Sequence, residues 1–224
     1  MYYVGQSTIR IAQQFKVDIS TIAYWLRKEG VNRRSISERN RKYTLNHDYF
    51  EKIDSEQKAY FLGLLASDGC IADENKILLS LVITDGYLIE SFKKAIGYTG
   101  PLFKMTRRNS SHKDMLRLSI RSSKMYNDLF NLGIVPRKSR VLQFPTSKEV
   151  PDLLIPHYIR GYLDGDGCVQ LHHNLLSIGF VGTKEMMVGI QNNLVQHCAV
   201  NNTKLWETNV GSNNNNYTLR FGNQ

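Results

Sequence analysis

The sequence predicts an α+β protein: two successive, pseudo-symmetric units of helices and antiparallel β-hairpins behind a small helical module. Three observations carry this. The stretch FLGLLASDG at residues 61–69 returns as IRGYLDGDG at 159–167. The copies share Gly63 and Gly161, Leu65 and Leu163, and a closing Asp68-Gly69 and Asp166-Gly167, with Tyr60 and Tyr158 ahead of them and Cys70 and Cys168 behind. Such self-similarity marks an internal structural repeat. After each copy the chain runs through the same order of apolar strands, polar turns and an amphipathic helix. Ahead of both lies STIRIAQQFKVDISTIAYWLRKEGV (7–31), whose apolar residues recur at helical spacing.

Each repeated stretch reads as the last turns of a buried helix. Ala59, Gly63 and Ser67 fall at four-residue spacing, as do Gly161 and Gly165, which places them on one helical face. Interior glycine costs roughly 1 kcal/mol against alanine, and close approach of two backbones is the reason that fits both copies. The Asp-Gly pair then ends each helix, with glycine as the usual residue just past a C-terminus. If the two helices lie side by side, Asp68 and Asp166 emerge together. Asp85-Gly86 is a third such pair, but no small-residue helix precedes it.

Two carboxylates there face an electrostatic problem. Each sits at the negative end of its helix dipole. Charges about 6 Å apart repel by roughly 3 kcal/mol at an effective dielectric near 20. A divalent cation between them reverses the sign of the interaction. Few oxygen ligands, with room for water and phosphate, suit Mg²⁺, and paired acids holding such ions are what in-line phosphodiester cleavage requires.

These two stretches resemble the paired motifs of the LAGLIDADG homing endonucleases, and the likeness extends over most of residues 57–224. The resemblance implies two αββαββα repeats forming a curved antiparallel β saddle. It also implies that the last acid of each motif, Asp68 and Asp166, binds the catalytic metal: Mg²⁺, with Mn²⁺ as a substitute and Ca²⁺ bound without turnover. In that family a lysine from each repeat often lies near the metals. Lys138, in PRKS, stands at the matching place and is read either as catalytic or as a phosphate contact. The implied partner is double-stranded DNA, cut at a long site by a monomer.

Composition agrees. Lys and Arg exceed Asp and Glu, 29 against 20, for a net charge of +9, which favours an anionic partner such as nucleic acid. Hydrophobic content of 42% is ordinary for a globular chain. The sequence shows neither a secretory signal nor an apolar run long enough to span a membrane, so an intracellular setting is expected, in cytoplasm or organelle matrix. Three cysteines without Cys-x-x-Cys spacing indicate neither a disulfide framework nor a zinc site. Cys70 and Cys168 read as buried strand residues.

Taken in order, residues 1–34 form the helical module. Ile11, Ala12 and Phe15 give its first helix an inward face, and Ser20 is placed to cap a second helix whose Ile22, Trp25 and Leu26 face back. This resembles the helix-turn-helix of resolvase-type DNA-binding proteins, except that Lys16 stands where the turn often carries glycine. Ser20, Thr21, Tyr24 and Arg27 are then the groove-facing positions. An ordinary helical hairpin fits the same pattern. Residues 35–56 read as a basic connector, and with Arg33 and Arg34 just before it this stretch forms a phosphate-tracking arm or merely a solvated one.

The first repeat occupies 57–148. A hairpin turns at Asp73-Glu74-Asn75, GYLIESFKKAI (86–96) forms a helix, a second hairpin crosses the tip RRNSSHK (107–113), and another helix covers 123–133. The second repeat, 149–224, runs in step, with Leu176-Ser177-Ile178 answering Leu79-Ser80-Leu81. A helix matching 123–133 is not seen after its last strand, so an apolar face should stay partly uncovered. Alternate strand residues point to one face, and a β-ribbon fits a major groove. Arg107, Arg108, Lys113, Arg117 and Arg121 in the first repeat, with Lys204, Asn213 to Asn216 and Arg220 in the second, are the candidate contacts. His172 and His173 read as loop residues. The reading is a site-specific, metal-dependent DNA endonuclease encoded within an intron or by a phage. Its rivals are an intron RNA maturase and a non-cleaving regulator of the same fold.

Overall fold

The computed structural model describes residues 1–33, 41–73, 75–106, 113–172, 175–208 and 215–222. Arg34, Arg107, Arg108, His173, Asn213 and Asn214 lie outside them. The chain forms two compact units, Met1–Thr44 and Leu45–Gln224.

In the first unit, α1 (Thr8–Phe15) and α2 (Ile19–Lys28) are joined by a three-residue turn. Ser7 caps α1 by accepting from the Arg10 amide at 3.1 Å. Asp18, and not Ser20, caps α2, accepting from the Ser20 amide at 2.8 Å. A carboxylate at this position also gains from the helix dipole. The Ser20 side chain first, and then its amide, hold the Asp18 carboxyl below its ordinary range by hydrogen bonding to it. Lys16 takes the left-handed conformation (φ 52°, ψ 41°) that glycine usually supplies, and its amide closes onto the carbonyls of Ala12 and Gln13. Ile11 and Ala12 are buried as expected, but Phe15 and Trp25 are 58% and 49% exposed. Two helices of this length share one narrow seam, too small to cover both rings.

The second unit contains α3 (Glu56–Ser67), β1 (Gly69–Ala72), β2 (Lys76–Val82), α4 (Gly86–Ala95), β3 (Phe103–Met105), β4 (Met115–Arg121) and α5 (Ser123–Asn131). Then the order repeats with α6 (Ile155–Asp166), β5 (Gly167–His172), β6 (Leu175–Gly182), α7 (Lys184–Cys198), β7 (Trp206–Glu207) and β8 (Tyr217–Gly222). The strands form two antiparallel four-stranded sheets, β1-β2-β4-β3 and β5-β6-β8-β7. The expected α+β architecture is therefore present. This unit starts earlier than polarity suggested: Tyr49, Phe50 and Ile53, read as connector, are buried in its core.

Period-two alternation sets the sheet faces. Ile77, Leu79 and Leu81 of β2 point into the core, as do Leu118 and Ile120 of β4, while Arg117 and Arg121 take the opposite face. Cys70 and Cys168 belong to that opposite face and are exposed, contrary to expectation. Their parity follows from the buried Gly69, one residue earlier on β1.

The register also corrects the repeat alignment. Gly69 pairs with Leu79, whereas its counterpart Gly167 pairs with Phe180. The hairpin of the second repeat is three residues longer, so Leu176-Ser177-Ile178 lies farther out along its strand than Leu79-Ser80-Leu81. Like-facing parity made the two triplets look equivalent.

Burial differs between the sheets at their far ends. Ile71, Ile77 and Ile120 are buried in the core alongside Met125 and Leu129 of α5. On the second sheet the residues of the same face, Val169, Leu171 and Leu176, are 61%, 71% and 49% exposed. Among the described residues no helix is long and apolar enough to cross a membrane.

Candidate active site

The site is built where α3 and α6 pack side by side. A Cβ on Gly63 would lie 2.0 Å from the Tyr158 carbonyl oxygen, and one on Gly161 would lie 2.0 Å from that of Tyr60. The contact is reciprocal: each glycine gives its partner's backbone the space a side chain would fill. Gly165 does the same one turn later, facing the Ser67 side chain and the Asp68 carboxylate. Tyr60 ties the pair further, donating to Asp164 at 2.6 Å with Arg160 over its ring. Residues Phe61–Ser67 are buried all round, which explains why this helix shows apolar residues without an amphipathic period.

Both helices end at the acids. Asp68 caps α3 in right-handed geometry, and Gly167 after α6 is extended (φ −102°, ψ 170°). Neither glycine is a left-handed helix stop, as the Asp-Gly pattern had suggested. Gly69 and Gly167 are small because each strand leaves alongside its own helix: a Cβ would sit 2.5 Å and 2.4 Å from the carbonyls of Leu65 and Leu163.

Asp68 is half-buried, and its carboxyl is pushed up to about 6, first by desolvation and then by the charge of Asp166. Asp166 reaches the surface and is also shifted upward, mainly by desolvation. Two acids that resist losing their protons lie at one end of a helix pair.

Lys138 lies beside them on a short 3₁₀ turn, Lys138–Arg140. Arg137 adopts left-handed geometry (φ 57°) just before it. The Lys138 side chain is buried and donates to the Ser67 carbonyl at 2.6 Å, so it satisfies the last turn of α3. Burial lowers its pKa, against the opposing pull of Asp166 and Asp68. A cleft of about 400 Å³ opens on the Asp166 side, lined by Ser67, Lys138, Arg140, Asp166, Thr183 and Asn216. Arg140 was missed in the sequence, although it follows Lys138 by two residues on one turn. Among the described residues no group of three or more His, Cys, Asp or Glu side chains is arranged to hold a metal ion.

The other candidates divide between the two units. On the first, Ser20, Tyr24 and Arg27 are exposed at positions that share a face of α2, Thr21 is half-buried, and Arg33 is exposed beyond the helix. On the second, Arg117, Arg121 and Arg220 stand on the sheet faces turned away from the core, with Lys113 and Lys204 exposed at the strand approaches. Arg117 donates to Ser80 on the neighbouring strand at 2.9 Å.

No family profile matches the sequence, and no curated protein does. Among solved structures, the homing endonuclease I-WcaI bound to its DNA recognition sequence is similar, with a TM-score of 0.51 and 14% identity over 77% of this chain and 80% of that one. The N-terminal LAGLIDADG domain of DUF199/WhiA aligns over 86% of both chains at 12% identity and a TM-score of 0.49. At such identities the likeness is one of fold, and the fold is that of the LAGLIDADG homing endonucleases.

Proposed function

We propose that this chain is a site-specific DNA endonuclease that hydrolyses phosphodiesters with a divalent metal held between Asp68 and Asp166. The observation that carries the reading is the reciprocal glycine contact of α3 and α6, which delivers two acids with raised pKa values to one point between two antiparallel sheets. The donor set fits Mg²⁺ or Mn²⁺: two carboxylates leave most of an octahedral shell to water and phosphate. Such an ion supplies charge stabilisation and a more acidic water.

The protein's own residues do the rest. Asp68 and Asp166, once deprotonated, would hold the ion and orient the attacking water. Lys138, next to both acids, limits their repulsion and faces the cleft where a phosphate enters. Arg117, Arg121, Lys204 and Arg220 hold the duplex on the outward sheet faces, and α2 with Arg33 adds contacts through its exposed polar face. Both acids sit in one chain, so a monomer suffices.

The test starts from sites selected out of random duplexes by the full chain in Ca²⁺. Wild type cuts a selected site in Mg²⁺, while Asp68→Asn and Asp166→Asn bind it and leave it intact, since each loses a charge from the metal site. An Asn variant cutting at the wild-type rate removes that acid from the mechanism. Sequence-selective binding without cleavage in Mg²⁺ or Mn²⁺ makes the protein a regulator, and preference for structured RNA over every duplex makes it a maturase.

A further inference from the structure

Phe103 and Trp206 occupy the same place in the two repeats. Phe103 pairs with Arg117, which pairs with Ser80; Trp206 pairs with Thr218, which pairs with Val181. In each sheet this rung directly follows the one that ties the glycine after the acid, Gly69 to Leu79 and Gly167 to Phe180. The two rungs are therefore equivalent, and each aromatic is on the strand farthest from its acid. Both lie on the outward face by parity with Arg117 and Thr218. They are 50% and 58% exposed.

Each ring has a cation for company. Lys204 Nζ sits 4.5 Å from the centroid of the Trp206 ring, and Arg117 is the cross-strand neighbour of Phe103. Trp206, Arg220 and Leu175 line one open groove with the loop after α7. A single exposed aromatic on an edge strand needs no explanation. Two at equivalent positions, on the face that carries the basic residues, call for one.

We infer that Phe103 and Trp206 read the 5-methyl groups of thymines, one in each half of the DNA site, at positions related by the protein's pseudo-twofold symmetry. The methyl is the apolar feature of the major-groove edge, and aromatic side chains contact it without a hydrogen bond. The neighbouring cation keeps the ring close to the phosphates. The contact favours thymine over cytosine. It also distinguishes thymine from uracil, since the two share the same major-groove hydrogen-bonding groups and differ only in this methyl. This inference rests on the reading of the sheets as a duplex-binding surface.

Deoxyuridine scanning tests it. In a site selected by the wild-type chain in Ca²⁺, each thymine is replaced singly by deoxyuridine and affinity is measured. One position in each half-site loses about fourfold, the worth of one buried methyl. In Phe103→Ser the loss vanishes in one half only, and in Trp206→Ser it vanishes in the other. Circular dichroism and melting of both variants confirm the fold, which exposed edge positions should leave intact. A selected site with no deoxyuridine effect, or one that persists unchanged in both variants, overturns the methyl readout and leaves DNA binding standing. Failure to enrich any duplex sequence overturns both.

Discussion

Replacing Gly161 with alanine puts a methyl group where the α3 backbone already is. The new Cβ would stand 2.0 Å from the Tyr60 carbonyl oxygen and 2.9 Å from both the Tyr60 carbonyl carbon and the Leu64 amide nitrogen. Ordinary contact begins near 3.4 Å, so the helices must part by about 1.4 Å in a core with no slack. Overpacking costs about 1–3 kcal/mol, and backbone on the receiving side places this case at the upper end. Alanine returns about 1 kcal/mol through its helix propensity. The net loss is about 2 kcal/mol, or a Tm lower by roughly 4–8 °C for a unit of this size. Gly63→Ala meets the Tyr158 carbonyl at 2.0 Å and should cost the same. The double variant should cost clearly less than the sum, because the helices need to separate only once. Urea and thermal melts of the four proteins measure this, with cleavage assayed beside them because parting the helices also parts the acids. Wild-type stability in Gly161→Ala, or strict additivity in the double variant, would refute the reciprocal packing.

Three further outcomes are expected. Asp68 binds its proton more tightly folded than unfolded, with its carboxyl at about 6 against an ordinary 3.8, so metal-free wild type should lose stability as pH rises from about 4 to about 6. Asp68→Asn should be more stable than wild type above that window, with a flatter profile across it; melts showing a constant gap from pH 4 to 7 would remove the shifted carboxyl. Ile71→Ala should cost about 2–4 kcal/mol and Val169→Ala under about 1 kcal/mol, because the first is buried and the second exposed; equal costs in denaturant titration would show that the second sheet's face is covered. DNA affinity should fall steeply between low and physiological salt as several phosphates exchange counterions for lysine and arginine, and a flat titration would assign the basic residues another purpose.

Sequence alone determined the parts of this protein that follow from periodicity and repetition. The doubled motif announced two equivalent helices, four-residue spacing put Gly63 and Gly161 on packing faces, and the acids followed at the shared end. Strand alternation gave the faces of β2 and β4 because one side of each is core. Tertiary structure decided whatever depends on distance. Gly69 and Gly167 looked like left-handed helix stops, yet their size is set by carbonyls of the preceding turn. The sequence reading put the cap of α2 at Ser20, but the structure puts it two residues earlier, at Asp18, whose carboxylate reaches the Ser20 amide. Cys70 and Cys168 could be given a face only after the register was known, since a shift of one residue reverses every side chain. The longer second hairpin hid behind matching letters, and with it the equivalence of Phe103 and Trp206. That equivalence is a property of cross-strand pairing, which links residues far apart in the chain and leaves no local pattern to read.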